Sequence, residues 1–164
     1  MSIFVTSVAD LVAMINAASG VTFTASDLVF GTPRPATSAE ITKYGKNTAI
    51  PVRASDTTTL VSGFTTFFYD RLDLKPLENF NLIGCICADG VPLATWLPVV
   101  VGYINVPFTS AHLVEHASAT VSGKVNVILE ATSNSLGWTG TATLKFGGYP
   151  DITTAFNTDK LLGF

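Results

Sequence analysis

The chain has 164 residues, a formal net charge of −3 and only 13 % charged residues, about half the charged share of an ordinary soluble domain. Its nine Lys and Arg are scattered through both halves, which excludes the basic stripe that phosphate recognition needs, so nucleic acid is not an expected partner. A surface so poor in charge is expected to be covered largely by other protein chains, because interface cores are depleted in charged residues.

No basic segment precedes an apolar run at the N-terminus, so a secretory leader is not expected. Ser7-Val8-Ala9-Asp10 is a capping-box pattern, and Val8, Leu11, Val12 and Ile15 follow at the spacing of one helix face. Gly20 closes that helix, as a residue tolerant of the left-handed conformation. A short extended stretch and a turn at Ser26-Asp27-Leu28 come next. Gly31-Thr32-Pro33-Arg34-Pro35 and the polar run to Lys46 predict an exposed arm. Ile50, Val52 and Ala54 alternate as one strand. Phe64 to Tyr69 forms its return partner, and its apolar residues on both faces predict a strand covered on both sides.

The turn from Asp70 to Pro76 is expected to be solvated and ion-paired, with Asp70, Asp73 and Glu78 beside Arg71 and Lys75. It lacks the dense Asp/Asn spacing of a calcium loop. Asn79 to Cys87 predicts one further strand. Cys85 and Cys87 are too close for an unstrained disulfide and lack a zinc spacing, so buried free thiols are expected. Val91 to Phe108 is strongly apolar but is broken by Pro92, Thr95, Pro98, Asn105 and Pro107. It falls short of the roughly 20 apolar residues of a membrane span and predicts a buried helix, capped by Thr95 with Pro98 in its first turn. Leu97, Val100, Val101 and Ile104 would form its apolar face, and Asn105 its end. Val125, Val127 and Leu129 predict a strand paired with Ala142, Leu144 and Phe146, with Thr141, Thr143 and Lys145 outward. The chain finishes in the apolar run Leu161-Leu162-Gly163-Phe164.

The order of the first half recurs in the second. Val21–Val29 reappears as Val106–Val114 with five of nine positions identical, a shift of 85 residues, and Gly63–Phe67 is echoed by Gly140–Leu144 at a shift of 77. A period this long is not that of a solenoid, whose units run about 20–50 residues. The expected architecture is therefore α+β: two internally duplicated helix-plus-β-hairpin units packed into one compact body with a mainly antiparallel sheet. Residues 1–78 form the first unit, with a Pro-rich arm over 32–47, and 79–164 the linking strand and second unit.

The chemistry-bearing motifs are weak. His112-Leu113-Val114-Glu115-His116 matches the H-x-x-E-H pattern of inverted zinc peptidases, but the repeat sets His112 opposite Asp27 in a short turn, so a metal site is not expected. There is no G-x-S-x-G elbow, and Phe146-Gly147-Gly148-Tyr149-Pro150 lacks the Lys and Ser/Thr of a phosphate loop. No cofactor and no catalytic residue is expected. Trp138, Tyr149 and Tyr103 offer stacking platforms for a glycan, against which packing in a core or interface is the simpler expectation.

Leu11–Gly20, Thr24–Leu28 and Phe30–Pro33, with Tyr69–Leu74 and Ser135–Gly140, resemble small virion structural proteins of large tailed bacteriophages. Val101 departs from the pattern set by Asn16. The resemblance implies a non-enzymatic, multi-copy virion component, with capsid decoration or an auxiliary head role as the first expectation and tail, neck, baseplate or a glycan- or receptor-binding module as alternatives. It also implies assembly in the host cytoplasm, with partners limited to itself and other virion proteins and no membrane. The expected interface residues are Pro33, Arg34, Pro35, Tyr44, Trp138, Leu161, Leu162 and Phe164.

Overall fold

The first helix, α1, spans Val8–Ser19 and begins where the sequence predicts: Ser7 Oγ accepts from the Asp10 N–H while the Asp10 carboxylate accepts from the Ser7 N–H. Gly20 closes it in the left-handed region at φ 70°. These features belong to a computed structural model that describes residues 5–106 and 109–147. Its class is α+β, with three α-helices and mainly antiparallel sheets among the described residues. The chain divides into two units, Met1–Asp73 with Ala131–Thr139, and Leu74–Glu130 with Gly140–Phe164. A segment from the second half, Ala131–Thr139, thus belongs with the first unit.

Unit 1 is built on β3 (Thr48–Ala54). On one side it pairs antiparallel with β4 (Phe64–Tyr69); on the other with β1 (Leu28–Phe30) and then β2 (Arg34–Pro35). Pro51 explains why that second side is split. Ala54 N–H donates to Gly63 O, so even-numbered residues of β3 face β4, and Pro51 turns its missing donor toward the gap between β1 and β2. Its carbonyl still accepts from Gly31 N–H at 2.9 Å. A Cβ on Gly31 would lie 3.3 Å from the Pro51 ring, so the approach suits glycine. Leu11, Val12, Phe23, Leu28, Ile50, Val52 and Tyr69 form the core, with Leu136 packed against it. Asn16 ties α1 to the chain that follows: its amide donates to Phe23 O and accepts from Phe23 N–H, at 2.9 and 2.8 Å.

The expected Pro-rich arm is not an arm. Its start is β2, and Ser38–Tyr44 is a helix, α2, with Thr37 and Glu40 forming a second capping box. Arg34 reaches Glu40 with two bonds, at 2.9 and 2.7 Å, and so fastens β2 to α2. The turn after β4 also departs from expectation, because Arg71 is buried. Its guanidinium donates to Thr48 Oγ1 and Ser135 O, both at 3.2 Å, and Asp70 instead pairs with Lys46. The strands β5 (Leu72–Asp73) and β9 (Trp138–Thr139) pair in parallel beside it.

Unit 2 has a sheet in the order β6 (Asn81–Ile83), β10 (Thr141–Gly147), β8 (Lys124–Glu130), β7 (Ala119–Val121). The inward set is as read from the sequence: Leu129 opposes Ala142, Val127 opposes Leu144, and Val125 opposes Phe146. β7 was not foreseen. It returns through Ser122 and Gly123, both at positive φ, the geometry of a two-residue hairpin turn. The predicted strand over Asn79–Cys87 shrinks to Asn81–Ile83, and both thiols are free and half-buried, not fully buried.

The helix α3 spans Leu93–Ile104 with Pro92 as its cap, so Thr95 does not begin it and Pro98 lies inside. The reason is remote: Glu115 accepts from Leu93 N–H at 2.8 Å, satisfying an end that no local side chain caps. Its buried face is Leu93, Trp96, Leu97 and Val100, about one turn earlier than expected, while Val99 and Tyr103 are exposed. It is thus amphipathic. Among the described residues no helix is long and apolar enough to cross a membrane.

Candidate interaction surface

The apolar surface of unit 1 follows from the alternation of β4. Phe67 and Tyr69 turn to the core side, ring centroids 6.3 Å apart. Phe64, Thr66 and Phe68 therefore share the other face. That face is not covered along its length as the sequence predicts. Phe64 is 91 % exposed, beside exposed Val29 and a shallow groove of about 230 Å³ that Pro51 and Phe30 help to line. Among the described residues only the far end is covered, where Tyr44 of α2 stacks on Phe68 at 4.1 Å. Lys43 Nζ sits 4.9 Å above the Tyr44 ring, an arrangement that favours both groups.

The core side carries a second opening. A cavity of about 300 Å³ is lined by Ile15, Phe23, Leu28, Val61, Phe64 and Phe67, among others. Its wall is mainly apolar, with Ser19, Arg53, Ser62 and Thr65 as its polar members, so it suits a leucine- or phenylalanine-sized group.

β4 is also an edge strand: β3 is its one partner among the described residues. The Gly63 carbonyl points to β3, so the N–H and C=O groups of Phe64, Thr66 and Phe68 face the open side. Beside that edge a groove of about 380 Å³ runs along α2, lined by Glu40, Lys43, Tyr44, Thr65, Thr66 and Phe68. Long apolar edges are normally paired, covered or charged, because they recruit other strands.

The expected interface residues separate in the structure. Arg34, Pro35 and Tyr44 are exposed at this end of unit 1, although Arg34 is held by Glu40. Pro33 is buried, and Trp138 is only 4 % exposed. Each fills space within unit 1. Leu161, Leu162 and Phe164 lie outside the described residues, as does Tyr149. What the sequence reading missed is the free edge itself. Its signal was the aromatic density of Phe64–Tyr69, read there as coverage on both sides.

The histidine motif resolves into three separate tasks. His112 closes a 3-10 turn by accepting from Thr109 N–H at 3.3 Å. Glu115 caps α3, and His116 meets Glu130 at 2.7 Å. Among the described residues no group of three or more His, Cys, Asp or Glu is placed to hold a metal ion. The strongest electrostatic shifts are also structural. Arg34 bonding holds the Glu40 carboxyl at about 2, and burial pushes the Tyr69 phenol up to about 12.

Residues 1–164 match the profile of a family of unknown function, DUF7941. The chain belongs to that family. No curated protein and no solved structure matches it. Family membership therefore brings no activity with it, and the functional reading rests on the surface described above.

Proposed function

We propose that this protein is a non-enzymatic structural component of a tailed-bacteriophage particle, present in many copies and assembled in the host cytoplasm with itself and other virion proteins. Decoration of the capsid is the first placement to test, with tail, neck and baseplate as the others. The observation that carries the assembly reading is the β4 edge, apolar on its outer face and met by no second strand among the described residues. The low charge supports it, and the virion placement rests on the sequence resemblance.

We infer further that the two halves are copies of one unit. Every pair in the β3–β4 register becomes a pair of the β8–β10 register on adding 77: Arg53↔Phe64 becomes Glu130↔Thr141, and Thr48↔Tyr69 becomes Val125↔Phe146. Gly63 and Gly140, at the same shift, both have positive φ, and so do the helix-closing Gly20 and Asn105 at a shift of 85. A glycan-binding role draws no support from Trp138, which is buried.

The test is direct. Quantitative mass spectrometry and side-chain-resolution imaging of purified particles should find the chain in a fixed, high copy number. A chain absent from particles, monomeric at all concentrations, would overturn the reading.

A further inference from the structure

In unit 2 the strand equivalent to β4 is not an edge. β10 pairs in parallel with β6, Lys145 opposite Asn81, Phe146 opposite Leu82 and Gly147 opposite Ile83. Thr143 N–H is met by the Glu78 carboxylate, Thr143 O by Asn79 N–H, and Lys145 N–H by Phe80 O. Leu82 is fully buried by this pairing side. The shift of 77 converts Thr143 and Lys145 into Thr66 and Phe68, whose outward backbone groups no strand meets among the described residues.

The segment that covers β10 follows the first hairpin in sequence, and a counterpart follows the second hairpin. Asp73-Leu74 recurs as Asp151-Ile152, Asn79 as Asn157, and Leu82-Ile83-Gly84 as Leu161-Leu162-Gly163, with the shift growing from 78 to 79. We propose that the Lys160–Gly163 segment of a second copy of this chain pairs in parallel with the free edge of β4, as β6 pairs with β10. This rests on the assembly reading and names its interface. The register transfers with the repeat: Phe68 opposite Lys160, Tyr69 opposite Leu161 and Asp70 opposite Leu162. Leu161 then takes beside Tyr69 the place that Leu82 takes beside Phe146. The recognition mode is strand addition, with backbone bonds supplying affinity and alternate side chains specificity.

A second relation runs the same way. β9 pairs with β5, Leu72 opposite Trp138. At the shift of 77, Trp138 corresponds to Val61 and Leu72 to Tyr149. The half-exposed loop around Leu60 and Val61 is thereby assigned to the 149–150 stretch of the same neighbour. Donor and acceptor surfaces differ, so the contact is head-to-tail, and it closes into rings or runs on as filaments.

The experiment uses the full chain with Cys85 and Cys87 replaced by Ser. Chains carrying only Phe68→Cys are mixed with chains carrying only Lys160→Cys and oxidised. Disulfide-linked heterodimers are the expected product. A disulfide formed only within single chains carrying both substitutions would overturn the proposal, because the segment then covers its own β4. Independently, Thr66→Pro, which removes an outward N–H without touching the β3 ladder, should weaken self-association by up to about tenfold, the worth of one hydrogen bond, and deletion of 158–164 by about tenfold or more, the worth of one buried leucine. Circular dichroism checks that each variant folds. Self-association that neither change affects would overturn the proposal while leaving assembly intact. A wild-type chain that never self-associates would overturn both.

Discussion

Asp27 accepts from both the backbone N–H and the hydroxyl of Thr24, at 2.8 and 2.6 Å, and so folds the chain back at the foot of β1. Residues Thr109 and His112 repeat the arrangement 85 positions later, with Nδ1 of the ring as the acceptor, 3.3 Å from the N–H and 3.2 Å from the hydroxyl. A carboxylate and an imidazole thus do one structural job. A requirement for an acceptor three residues after a threonine explains the position better than metal ligation does.

His112→Asp should therefore keep the stability of unit 2, while His112→Ala should lose about 1 kcal/mol, the usual worth of a turn-capping side chain. Asp27→Ala should lower the denaturation midpoint more than Asp27→Asn, because Asp27 also accepts from Thr58 Oγ1. Denaturant titrations compare the four variants. A chelator that lowered the wild-type midpoint would refute the capping role of His112.

Tyr69 carries a buried hydroxyl with no hydrogen-bond partner among the described residues. Tyr69→Phe removes that uncompensated group and should leave stability unchanged or raise it by up to about 1 kcal/mol. The phenol's pKa is raised from 10 to about 12 by burial. Its contribution is whole below pH 10 and is lost as pH rises through about 12. Alkaline unfolding, followed by circular dichroism, should accordingly be shallower in Tyr69→Phe.

Glu40 has the opposite sign. Bonding to Arg34, then to the Thr37 N–H, lowers its pKa from 4.5 to about 2. Its contribution is whole above pH 4.5 and is lost as pH falls through about 2. Glu40→Gln should flatten the acid limb of the stability profile and loosen α2, which shows as faster proteolysis near Lys43. An acid limb identical to wild type would contradict this.

What was legible in the sequence was what is local. Ser7 and Asp10, three residues apart, announce their own capping box, and the alternation of Val125, Val127 and Leu129 fixes which side of β8 is buried. What was hidden depends on distant partners. Glu115 starts α3 from 22 positions away, so Thr95 looked the better cap. Arg34 and Glu40 turn a Pro-rich stretch into β2 and α2, although its composition reads as a loop. Arg71 is buried because Thr48 and Ser135 supply its acceptors, whereas its charged neighbours alone predict solvation. The free edge of β4 was hidden for the same reason: an aromatic strand reads alike whether it is covered or waiting to be.

The membership of Ala131–Thr139 in unit 1 has a consequence for synthesis. A ribosome that has delivered β4 has not yet delivered the carbonyl that Arg71 needs, the leucine at 136 that packs on the core, or the partner of β5. The first-made part of the molecule therefore cannot mature until residues 131–139 have emerged, and a buried cation must wait in the nascent polypeptide for its acceptor. Cutting a gene for this protein at the midpoint would yield an N-terminal product with an unfinished interior.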